Sequence, residues 1–159
     1  MSTLRTRFRT ESEAKACLFF ERGLKPALLA LCAGLLLAQS ARSVWDGVYT
    51  SEQAARGSAL YSSRCASCHG TALTGGESAP PLAGGEFLSN WYGLTAGDLF
   101  DRIRISMPAD RPGSLKRDEV ADVLAFVLSM NQFPVGKTDL ERESEALKQI
   151  RIEPKPDGK

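Results

Sequence analysis

Cys65 and Cys68 are separated by two residues and followed at once by His69, the single histidine of the chain. Two thiols three positions apart stand about one helical turn from each other on one side of the backbone, so both can reach the vinyl groups along one porphyrin edge and add across them. The side chain that comes next is an imidazole, a standard axial ligand for the iron of that ring. The run Cys65-Ala66-Ser67-Cys68-His69 is therefore a covalent haem-attachment sequence, C-x-x-C-H.

The same residue types serve other chemistries. A C-x-x-C pair can be a redox dithiol of the thioredoxin kind, but that motif sits in a βαβ unit, and no segment of this chain alternates with period two. A closed zinc site needs four ligands. Of the four cysteines, Cys17 and Cys32 lie in the first 40 residues, so the remainder offers only Cys65, Cys68 and His69. Haem attachment uses all three.

With one histidine, a sixth ligand must come from Met107, Met130 or, less readily, a Lys or Tyr, unless the position is open. Met107 is the expected ligand. It follows a helical segment, is pinned by Pro108 with its fixed φ and missing N–H, and lies 38 residues beyond His69, enough chain to cross to the opposite ring face. Met130, near the end of a helix, is expected to pack. Thioether ligation raises the potential, and a six-coordinate iron needs little rearrangement between oxidation states, so the pair His69 and Met107 suits electron transfer. An open sixth site would suit a peroxidase-like enzyme or a gas sensor. No residue is needed as acid, base or nucleophile, and the expectation is an electron carrier rather than an enzyme.

Three helices are expected to position these groups. The first starts near Thr50 or Ser51 and runs to about Ser63, with Thr50 and Gln53 as a capping box and Ala54, Ala55, Ala59 and Leu60 as its apolar stripe. The second runs from Thr95, boxed with Asp98, to about Ser106, where Pro108 ends it. The third runs from about Lys116 to Met130, with Asp118 and Glu119 in its first turn and Val120, Val123, Leu124, Val127 and Leu128 on one face. Turn-forming residues gather in Gly70 to Asn90 and Ala109 to Ser114, which read as loops. The fold class is all-α, and three helices with such loops bury little apolar surface of their own. The porphyrin is expected to complete the core.

Ala27 to Ala38 is an apolar run preceded by Arg22 and Lys25 and followed by small residues, the layout of a secretory signal peptide. It is too short to span a bilayer, which takes about 20 helical residues. Residues 1–40 are thus expected to be a targeting segment, cut after Ser40 or Ser43; membrane association would require an uncleaved segment or a lipid on Cys32. Six of the 20 basic and three of the 19 acidic residues lie within 1–40, so the rest carries a net charge of −2, which suits neither nucleic acid nor an acidic membrane. The organisation expected is 1–40 targeting segment, 44–134 folded domain, and 135–159 charged tail. Leu140, Leu147 and Ile150 could form or dock a short helix there, and the end from Glu153 is expected to be disordered.

From Val44 to Phe133 the chain resembles the class I c-type cytochromes, through Arg56-Gly57 and Tyr61 before the haem motif, Ala79-Pro80-Pro81-Leu82 after it, Ser106-Met107-Pro108, and Val123-Leu124-Ala125-Phe126. The resemblance implies a small cytochrome c fold with one covalent haem c. It implies Gly57 where the first and last helices cross, with Tyr61 and Phe126 as the aromatics of that crossing. It also implies that a proline carbonyl, of Pro80 or failing that Pro81, accepts the Nδ1 proton of His69. Trp91 would donate to a haem propionate, and Leu82, Phe87, Leu99 and Phe100 would line the pocket. The tract Val44 to Thr50 is similar to the lead-in of cytochromes that accompany periplasmic quinoprotein dehydrogenases. The function implied is a periplasmic single-electron carrier whose partner is a redox protein such as a quinoprotein dehydrogenase or a terminal oxidase, or an accessory haem subunit of such a complex.

Overall fold

A computed structural model describes residues 42–77 and 79–156. The expected targeting segment lies outside the described residues. Among the described residues, six α-helices and one pair of short strands follow in the order β1 (Arg42–Ser43), α1 (Ser51–Arg64), α2 (Ala66–His69), α3 (Gly85–Trp91), α4 (Ala96–Ser106), α5 (Arg117–Met130), α6 (Ser144–Leu147) and β2 (Ile150–Arg151). The all-α class and the three long helices α1, α4 and α5 are as expected.

Helix α1 begins where Thr50 accepts a hydrogen bond from the Gln53 backbone N–H. The other half of the expected box does not form. The Gln53 amide instead turns inward, where Nε2 donates to the Leu140 carbonyl at 3.1 Å and Oε1 accepts from the Leu140 N–H at 2.6 Å. A buried amide gains more from two partners in the interior than from reaching back along an exposed first turn. The apolar stripe is displaced as well: Gln53, Ala54, Gly57 and Tyr61 are buried, while Ala55 and Ala59 face outward. Helix α4 has both halves of its box, with Asp98 N–H on Thr95 Oγ1 and the Thr95 N–H on Asp98. At α5, whose cap position holds Lys116, the Glu119 carboxylate accepts from the Lys116 N–H at 2.8 Å.

Helices α1 and α5 cross with almost no gap at Gly57. A Cβ there would collide with the Asp122 carbonyl and lie 2.9 Å from the Phe126 Cβ, and one turn on the Tyr61 and Phe126 rings stand 5.3 Å apart. The expected face of α5 is buried, together with Ala121 and Ala125. Phe100, Leu99 and Ala96 from α4 and Phe87 from α3 complete the core.

Two expectations are corrected. The stretch from Gly70 to Asn90 is not all loop, because α3 forms from Gly85 to Trp91 around the buried Phe87; a seven-residue helix preceded by two glycines carries too little periodicity to register in the sequence. Packed chain also continues past residue 134. Leu140, Leu147, Ile150 and Ile152 are all buried, and β2 pairs in parallel with β1, aligning Arg42 with Ile150 and Ser43 with Arg151. Strands of two residues are too short to show alternation. Leu147 lies on α6 and Ile150 beyond it on β2; Leu140 bonds to Gln53 of α1, and residues 144–152 form a strap across the N-terminal half of α4, where Ser144 donates to Asp101 and the Ile152 N–H bonds to the Leu94 carbonyl. Trp45 closes the same corner, its Nε1 donating to the Glu153 carbonyl at 2.9 Å and its ring 4.9 Å from Phe133.

Candidate haem site

Helix α1 delivers the attachment motif. Its last turn ends with the Cys65 N–H on the Tyr61 carbonyl at 2.9 Å, and the chain then makes one further turn, the Cys68 and His69 N–H groups both bonding to the Cys65 carbonyl. Cys65 and Cys68 are therefore one helical turn apart, and both are free thiols. Burial pushes the Cys65 thiol up to about 11.

His69 is buried, and its Nδ1 lies 2.8 Å from the Pro80 carbonyl oxygen. A carbonyl can only accept, so Nδ1 carries the proton and Nε2 is the nitrogen left for a ligand. Residues 70–77 and 79–84 fold back tightly to make this contact. Gly70 turns the chain at φ 77°, the Gly75 N–H returns to the His69 carbonyl at 2.9 Å, and the Leu73 carbonyl accepts from both Leu82 and Ala83. Leu73 is fully buried with φ 60°, a left-handed conformation that a leucine adopts only when its surroundings demand it. The Tyr61 hydroxyl donates to the Gly70 carbonyl at 2.7 Å, and burial pushes the phenol up to about 12, so it stays a donor.

Leu82 and Trp91 are half-buried, packed against the core, and the Trp91 ring lies 6.1 Å from that of Phe87. Met107 caps the C-terminus of α4 with its N–H on the Ile103 carbonyl at 2.9 Å; it too is half-buried. Met130 is 39% exposed at the end of α5. The structure thus joins His69 directly to Pro80, rather than to Pro81, and sets Leu82, Trp91 and Met107 on three separate segments.

The donor set fits a covalently held haem. Two free thiols stand one turn apart, an imidazole has one nitrogen committed and the other available, and Leu82, Leu88, Trp91 and Ile103 keep apolar surface beside the core. No group of three or more His, Cys, Asp or Glu side chains that could hold a metal ion occurs among the described residues.

Comparison with known proteins agrees. Residues 52–127 match the family model described as cytochrome c oxidase, cbb3-type, subunit III. The chain carries a c-type cytochrome domain, a class that holds haem c covalently and transfers electrons. Among curated proteins, the cbb3-type cytochrome c oxidase subunit CcoP of Azospirillum brasilense is similar, at 31% identity over 49% of this chain and 31% of its own length. The chain thus spans about a third of that relative. Among solved structures, the sulfane dehydrogenase SoxCD from Paracoccus pantotrophus is similar over 68% of this chain and 61% of its own, at 24% identity and a TM-score of 0.48.

Sequence reasoning did not find Leu73, whose carbonyl gathers the loop, because a leucine carries no signal for a left-handed turn.

Proposed function

We propose that the protein is an exported monohaem electron carrier in which His69 and Met107 would hold the iron and Cys65 and Cys68 would tether the ring. The hydrogen bond from His69 Nδ1 to the Pro80 carbonyl carries this reading, since it leaves Nε2 for the metal, fixes the ring and raises its basicity. The bound haem would supply the one-electron couple. The chain's own part is to orient the imidazole, present Met107 from the end of α4, exclude water with Leu82, Phe87, Leu99 and Phe100, and hold a propionate through the Trp91 indole. No side chain is asked to act as acid, base or nucleophile.

Residues 1–40 would direct export to the periplasm, and the position of β1 favours a cut after Ser40 over one after Ser43, which would remove a strand and the Ser43 cap of the turn at Val44–Asp46. No helix among the described residues is long and apolar enough to cross a membrane. The domain would include β1 from Arg42, with the segment after 134 as part of its packing rather than a free tail.

The likeness to CcoP, a subunit of an oxidase, favours a second reading that differs in partner and not in chemistry: an accessory haem subunit of an oxidase or dehydrogenase. Co-purification of the tagged protein with an oxidase or a quinoprotein dehydrogenase would select it over a free carrier.

The decisive experiment is spectroscopic. The oxidised wild type should be low-spin with a far-red charge-transfer band, and Met107→Ala should lose that band while keeping its haem covalently bound. High-spin iron in the wild type would overturn the ligand assignment and favour a peroxidase-like or gas-sensing protein instead.

A further inference from the structure

The bond between His69 and Pro80 is only as firm as the loop that carries Pro80, an exposed residue whose ring nitrogen can donate nothing. Its neighbours are held from an unexpected direction. Asn131, the residue that caps the C-terminus of α5, sends its side chain into this loop: Nδ2 donates to the Leu82 carbonyl at 2.9 Å, and Oδ1 accepts from the Gly84 N–H at 3.0 Å. The second Nδ2 hydrogen goes to the Val127 carbonyl of α5 at 2.9 Å. Flipping the amide would oppose oxygen to two carbonyls and nitrogen to an N–H, so the orientation is set by its partners.

The amide is itself fixed to the helix. Gln132 follows in the left-handed conformation at φ 64°, and the Phe133 and Gln132 N–H groups return to the Leu128 and Ser129 carbonyls, the paired bonds of a Schellman cap. Helix α5 packs on α1, and α1 ends in Cys65. A closed frame results, from α1 through the motif to His69, across to Pro80, on to Leu82 and Gly84, and back through Asn131 to α5. Asn131 is only 9% exposed and, among the described residues, is one of three buried polar residues together with Gln53 and His69.

We propose that Asn131 is a positioning residue for His69: by clamping the backbone at Leu82 and Gly84 it holds the Pro80 carbonyl against Nδ1 and thereby sets the basicity of the iron ligand. The proposal rests on the reading of His69 as an axial ligand. Loosening the clamp weakens the Nδ1 hydrogen bond, makes the imidazole a poorer donor, stabilises ferric iron less and so raises the midpoint potential.

The test uses the haem-loaded protein with Asn131→Leu, which removes the whole clamp, and Asn131→Asp, which keeps an acceptor for Gly84 but turns oxygen toward the Leu82 and Val127 carbonyls. Leu147→Ala, in the strap, is the control for general loss of stability. Both Asn131 variants should speed exchange of the His69 Nδ1 proton, followed by NMR, about five- to tenfold, the factor expected for one weakened hydrogen bond, and the uncharged Asn131→Leu should also raise the potential. Leu147→Ala should move neither. Wild-type potential and wild-type exchange in a folded Asn131→Leu would overturn the proposal; if that variant does not retain haem, wild-type exchange in Asn131→Asp overturns it. If the wild type itself gives no hyperfine-shifted His69 resonances, the ligand assignment fails, and the proposal falls with it.

Discussion

Tyr61 and Gly70 are joined by a 2.7 Å hydrogen bond from the phenol to the backbone carbonyl, linking the last turn of α1 to the residue just past the haem motif. The same ring packs against Phe126, so one side chain serves both the helix crossing and the placement of His69. Tyr61→Phe keeps the ring and removes the bond. It should cost about 1 kcal/mol, read as a lower denaturation midpoint with an unchanged slope.

Gly57 is where α1 and α5 come closest, and a methyl group has no room beside the Asp122 carbonyl. Since backbone atoms cannot give way as side chains do, Gly57→Ala should destabilise the domain by about 3 kcal/mol although alanine is the better helix former. Thermal denaturation would show the loss. An unchanged melting temperature would mean that the helices separate freely at this point.

The strap is part of the fold, and its removal should show it. Leu147 is fully buried, and Leu147→Ala should cost about 3 kcal/mol through lost burial and the cavity left behind. A chain ended at Pro134 should be less stable still, since it also removes the buried Ile150 and Ile152 and leaves the buried Gln53 amide without its two bonds to Leu140. Urea unfolding of the two shortened cores would rank them.

Two carboxylates shape the acid limb of stability. Asp98 is held below the usual carboxylate value by the Thr95 hydroxyl and then by its N–H, and Asp139 by the Thr50 hydroxyl and then by Arg56. A depressed folded value contributes stability that is present above the unfolded value, about 4, and is lost as pH falls through the folded one. Both groups are exposed, so each contribution should stay below about 1 kcal/mol. Asp98→Asn and Asp139→Asn should each flatten the fall in melting temperature below about pH 4.

A cut after Ser40 predicts a mature chain that begins at Ala41 and keeps β1. Intact mass measurement of the exported protein decides this. A chain beginning at Val44 would mean that the pairing of Arg42 and Ser43 with the strap is absent from the mature protein.

The long helices were legible in the sequence because their signals are local: Thr95 with Asp98 boxes one end of α4, and the apolar positions of α5 recur at helical spacing. The strap was only half legible. Leu140, Leu147 and Ile150 stood out as apolar residues in a charged segment, but their docking depends on partners such as Gln53, 87 residues away in the chain from Leu140. Gln53 shows the limit well, since as a capping-box partner it looked local and in the fold it is not.

Five consecutive residues, Cys65 to His69, carry the proposed haem attachment in the sequence by itself, because thioether attachment depends on a spacing that one helical turn supplies. The pairing of the His69 ring with Pro80 rather than Pro81, the left-handed Leu73 beneath the loop, and the Asn131 clamp were decided only in three dimensions. A carbonyl looks the same at every position of a sequence. Which one meets an imidazole depends on how the chain between them returns, and here that return is fixed by hydrogen bonds from segments far apart in the chain.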